Sequence, residues 1–149
     1  MYLQNYGFEG CSLQPTYSTG QPIRVGDWVR VFLPRLGVWH DGIVHSMSFV
    51  GNGFAVRLAN NVKGVGITTS DWYEFAEGQI IHLHRRPTSG AQVREILARV
   101  EKSVGKPYHL VAQNCQHFAS YAFTGKAESP YVQTVGLIAV VIAAVKFLS

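Results

Sequence analysis

A cysteine directly after an asparagine, Asn114-Cys115, and a histidine inside an apolar run, Val38-Trp39-His40-Asp41-Gly42-Ile43-Val44, are the residues best suited to covalent chemistry in this sequence. The thiolate is the reactive form of cysteine, and a helix N-terminus lowers the pKa of a thiol placed there, more so beside an imidazole. The free amides of the same helix start, at Asn114, Cys115 and Gln116, could also hold an oxyanion. A histidine on a strand facing that start could take the thiol proton as general base and return it to a leaving group. That chemistry is nucleophilic attack on a carbonyl, and it needs a third polar residue to orient the imidazole. The competing use of a lone helical cysteine is as a small buried hydrophobe.

Two kinds of element must position this pair. Trp28-Val29-Arg30-Val31-Phe32-Leu33 is a β-type run, opened by Gly26-Asp27 and closed by Pro34. Residues 38–47, 53–58 and 79–83 are further β-branched or aromatic runs, and Gly51-Asn52-Gly53 separates two of them. A small, mostly antiparallel sheet is expected. The text then changes period: Val93, Ile96, Leu97, Val100 and Val104 fall at helical spacing, with Thr88 or Ser89 to cap the start and Gly105 with Pro107 to end it. A second helix is expected from Cys115 to a stop at Gly125, with Asn114 as N-cap. Residues 132–148 are apolar apart from Lys146 and predict a third helix, suited to a membrane surface, a short anchor or a core.

The fold class is therefore α+β: a small antiparallel sheet packed against the helix bearing the cysteine, followed by an apolar C-terminal helix. The organisation reads as an irregular or loosely packed leader over 1–24, a core domain over 25–129 and the hydrophobic helix over 130–149. A chain of 149 residues carries one domain, and 47% hydrophobic with 15% charged residues excludes disorder. Thirteen Lys and Arg against 9 Asp and Glu is a mild excess with no basic run longer than Arg85-Arg86, so nucleic acid is not an expected partner. Cys11 and Cys115 make no disulfide framework or metal-ligand spacing, and the opening residues lack the pattern of a secretory signal, which predicts an intracellular protein. No HxxxH or His/Cys cluster occurs, so no metal and no cofactor is expected. His45, His82 and His84 read as structural or solvent-facing. His117, two residues beyond Cys115, points away from it. Trp28, Trp39 and Trp72 read as core.

Asn114-Cys115-Gln116-His117-Phe118, preceded by an amphipathic helix and Val104-Gly105-Lys106-Pro107-Tyr108, resembles the Asn-Cys-Glu-His-Phe box of the lecithin retinol acyltransferase-like family, with Gln116 in place of Glu. Gly26-Asp27-Trp28-Val29-Arg30-Val31 is similar to that family's first strand and His40-Asp41-Gly42-Ile43-Val44 to its histidine box. The resemblance covers residues 25–149. It implies a permuted papain-like fold in which Cys115 is the nucleophile and His40 the general base. It also implies an acyl thioester formed from a lipid ester and passed to water, an amine or an alcohol, with lipid and a membrane surface as partners. The family's second histidine aligns with Arg57, which cannot accept an imidazole N–H. Asn60 or Asn61 could supply the accepting oxygen instead, and Asn60 is the preferred candidate. Two alternatives stay open: a permuted thiol peptidase or amidase, and a catalytically weak membrane-associated binding domain.

Overall fold

A computed structural model of the chain describes residues 15–51, 53–107 and 115–126. Five strands, β1 (Trp28–Leu33), β2 (Val38–Val50), β3 (Gly53–Val62), β4 (Gly66–Asp71) and β5 (Ile81–Arg85), form one antiparallel sheet in the order β4-β3-β2-β1-β5. Helix α1 (Trp72–Ala76) follows β4 directly, α2 (Gly90–Ser103) follows β5, and α3 (Cys115–Thr124) completes the described part. The chain is thus α+β, with the cysteine on a helix packed against an antiparallel sheet.

Alternation along the strands gives the sheet two different faces. Val29, Val31, Val44 and Leu58 point to one side, where they pack with Trp72, Phe75 and Ala76 of α1 and with Tyr17 and Ile23. Trp28, Ile43 and Ala59, their neighbours in sequence, point to the other, under Ile96 and Val100 of α2 and Phe118, Ala119, Ala122 and Phe123 of α3. Residues 15–24, expected as part of a loosely packed leader, therefore contribute core side chains; Tyr17 and Ile23 are fully buried. Asp27 ties them down. Its carboxylate accepts from Tyr17 Oη at 2.7 Å, from the Arg24 amide at 3.0 Å, and from Arg86 Nε and Nη2 at 2.8 and 2.7 Å.

The helical periodicity identified α2, and Ser89 caps it by accepting from the Gln92 amide. Two elements were not foreseen. β4 is short and polar, Gly-Ile-Thr-Thr-Ser-Asp, and draws its regularity from pairing with β3 rather than from propensity. α1 is barely more than one turn, yet Asp71 and Glu74 form a reciprocal capping box around it. After α2 the chain returns to the sheet edge: the Gly105 amide donates to the Ile67 carbonyl and the Ile67 amide to that of Lys106. Gly66 is needed there, because a Cβ would run into the Lys106 carbonyl. Among the described residues no helix is long and apolar enough to cross a membrane. The apolar segment 132–148, the expected N-cap Asn114, His109, which precedes the cysteine in sequence, and Cys11 lie outside the described residues.

Candidate active site

The position of Cys115 follows from where the sheet stops pairing. The β2–β3 ladder begins at Gly42↔Asn60, whereas β1–β2 pairing continues to Leu33↔Val38. Residues 38–41 are thus paired to β1 on one edge and have no β3 partner on the other. At that edge sits the sulfur of Cys115, whose thiol donates to the Trp39 carbonyl at 3.7 Å. The amide of Asp41, on the same edge, and the amides of Gln116 and Cys115 at the start of α3 face the sulfur and favour its thiolate. Burial outweighs them and, together with the nearby Asp41 carboxylate, pushes the thiol above its ordinary value.

His40 reaches the same place from the side-chain direction. Alternation puts His40, Gly42 and Val44 on the α1 face of the sheet. The His40 ring packs on Phe75 of α1, with centroids 4.9 Å apart and planes inclined by 34°. Phe75 can lie there because residue 42 is glycine: a Cβ would come within 2.7 Å of its ring. Burial holds the His40 imidazole down at about 4. Burial thus favours the uncharged form of both the thiol and the imidazole.

Asn60 stands opposite Gly42, on the face that carries His40. It is fully buried; Nδ2 donates to Ser70 Oγ at 3.0 Å, while Oδ1 has no hydrogen bond among the described residues. His40, Asn60, Asn61 and Cys115 all line one cavity of about 580 Å³, whose apolar wall includes Leu33, Leu36, Val38, Val62, Val65 and Phe75. Arg57 does not line it. Its guanidinium donates across to the carbonyl and hydroxyl of Thr69, both at 3.0 Å.

The remaining expectations divide. His45 pairs with Glu101 at 2.6 Å and His84 packs edge-on against Trp28 at 4.6 Å, both away from the cavity. His117 is buried in α3. Trp28 and Trp72 are core, but Trp39 is 38% exposed, stacked edge-on with Phe32 and His82 and lying under Arg30. It also lines the cavity. The described residues contain no cluster of His, Cys, Asp or Glu able to hold a metal ion.

Three contributors at the site were not read from the sequence. Phe75 seats the histidine, and Ser70 fixes the Asn60 amide. Asp41 is a buried carboxylate: Oδ2 accepts from Trp28 Nε1 at 2.9 Å and Arg30 Nη2 at 3.1 Å, and Oδ1 has no hydrogen bond among the described residues. A charged residue in the middle of an apolar strand was the available signal for Asp41. No curated protein matches the chain. Residues 22–128 match the model of the lecithin retinol acyltransferase family, so the chain belongs to that family, whose character is acyl transfer and related thiol chemistry.

Proposed function

We propose that the protein transfers acyl groups from lipid esters through a thioester on Cys115, with His40 as general base, at a membrane surface inside the cell. The observation that carries this reading is the shared cavity: nucleophile and base line one space whose wall is apolar enough for an acyl chain. His40 takes the thiol proton, the sulfur attacks the ester carbonyl, and the amides of Gln116 and Asp41 stabilise the oxyanion. Collapse forms the thioester, and the imidazolium protonates the leaving alcohol. Water, an amine or an alcohol then releases the acyl group by the same steps in reverse. Asn60 Oδ1 is the acceptor for the imidazole N–H once substrate draws the ring into position. No cofactor or metal enters the scheme.

One observation favours a second reading, a catalytically weak domain that binds membranes: burial raises the thiol and lowers the imidazole, which disfavours the ion pair of a highly reactive cysteine. Incubation with mixed phospholipid vesicles followed by intact-protein mass spectrometry separates the two. The enzyme reading expects a fatty-acyl mass increment that vanishes in Cys115→Ser and falls in His40→Ala, with an acid limb of turnover near pH 4. No adduct and no released fatty acid from a folded protein would move the assignment to the binding domain.

A further inference from the structure

We propose that the mouth of the cavity is itself a docking surface for a phospholipid bilayer, built from Leu36 on the β1–β2 turn and Val65 on the β3–β4 turn. The proposal rests on the lipid-ester reading for its purpose, though not for its geometry. Leu36 is 71% and Val65 68% exposed, the two most exposed large apolar side chains among the described residues. A single exposed leucine is ordinary on a protein surface. Here both side chains stand on separate hairpin turns and both line the one cavity that holds His40 and Cys115.

The charges beside them identify the occupant. Arg35 precedes Leu36, and Lys63 stands two residues before Val65, both exposed. An apolar tip with a cation one or two residues away suits a lipid interface, where the tip sinks below the headgroups and the cation stays at phosphate level. Two carboxylates lie near the tips but not on them: Glu74 lines the cavity and accepts the Asp71 amide at 3.0 Å within the α1 cap, and Glu77 lines a neighbouring pocket with Arg35 and Leu36, whereas the turns themselves carry only the two cations. A second apolar patch, Phe49 and Val50 on the β2–β3 hairpin, is 57% and 47% exposed but carries no charge on its turn. It lies nine residues from His40 along β2, about 30 Å away. Docking there would hold the cavity far from lipid, so this patch serves as the internal control.

The test is hydrogen exchange of the full chain with and without vesicles of equimolar phosphatidylcholine and phosphatidylglycerol, on wild type and on Cys115→Ser, which cannot form a thioester. Vesicles should protect amides of 35–37 and 63–65 severalfold in both proteins and leave 49–54 unchanged. The double variant Leu36→Ser/Val65→Ser should partition to vesicles roughly tenfold more weakly, and Phe49→Ser/Val50→Ser as wild type does. Failure of the vesicles to bind, or protection of 49–54 in place of the two turns, overturns the proposal. Protected turns without any acyl adduct on wild type would keep the docking surface and remove the lipid-ester reading. An acyl adduct with both turns unprotected would do the opposite.

Discussion

Asp27 and Asp41 are both carboxylates with no solvent exposure, each held by an arginine and an aromatic donor. Asp27 is saturated: both oxygens accept, four donor groups converge, and Arg86 binds in two-pronged fashion. Asp41 uses one oxygen only; Oδ1 and the nearby Arg30 Nε have no hydrogen bond among the described residues. Burial raises the Asp41 pKa against the opposing pull of Arg30 and Trp28. A saturated buried carboxylate is a fastening, whereas an under-satisfied one costs stability and is retained where its field acts on something. The two lie at the opposite roles of the same strand pair: Asp27 locks residues 15–24 onto β1 and β5, and Asp41 sits between His40 and Gly42 beside the thiol.

The contrast can be broken most directly at Asp27. Asp27→Ala leaves Arg86 and Tyr17 without their acceptor and should cost about 3–5 kcal/mol, read as a shift of the urea midpoint; a loss near 1 kcal/mol would make the fastening unimportant. Next comes acid. The folded His40 value, about 4, lies below its ordinary 6.5, so the unfolded chain binds this proton more readily. The contribution is complete above pH 6.5 and is lost as pH falls toward 4, roughly 3 kcal/mol in all. His40→Leu should lack that part of the pH dependence, and an unchanged profile would refute the buried neutral imidazole. Gly42→Ala, pressing on Phe75, should cost about 1–3 kcal/mol and move the His40 NMR titration upward. Smallest is Asp41→Asn, about 1 kcal/mol. Because the Asp41 charge raises the thiol pKa, its removal should lower it and speed alkylation by iodoacetamide at neutral pH; slower alkylation would reverse the assigned sign.

How much of this could be read from residues alone follows the range of the forces involved. β1 was legible to the residue, and α2 with its Ser89 cap nearly so, because turn chemistry and periodicity are local. Cys115 and His40 stood out by residue type, and both line one cavity. β4 and α1 were not, since a polar six-residue strand exists only by its pairing and a five-residue helix only by its cap. Nor could the sequence distinguish Asn60 from Asn61 by side-chain type. The register opposite Gly42 puts Asn60 on the sheet face that carries His40, and register is a property of two strands at once. Trp39 misled because a large aromatic in an apolar run is usually core, and this one is partly exposed and lines the cavity.

The early end of the β2–β3 ladder has a consequence for how the chain tolerates length changes. The sulfur is seated by main-chain groups of residues 39 and 41, while the imidazole is presented by the side chain of the residue between them. Nearly any substitution at 39 would keep the carbonyl where it is, but inserting or deleting one residue within 39–42 would swap the faces and send the imidazole to the helix side. The turn at 34–37, outside the ladder, can change length without touching that phase. The site is thus insensitive to spelling and intolerant of frame over four residues of one strand.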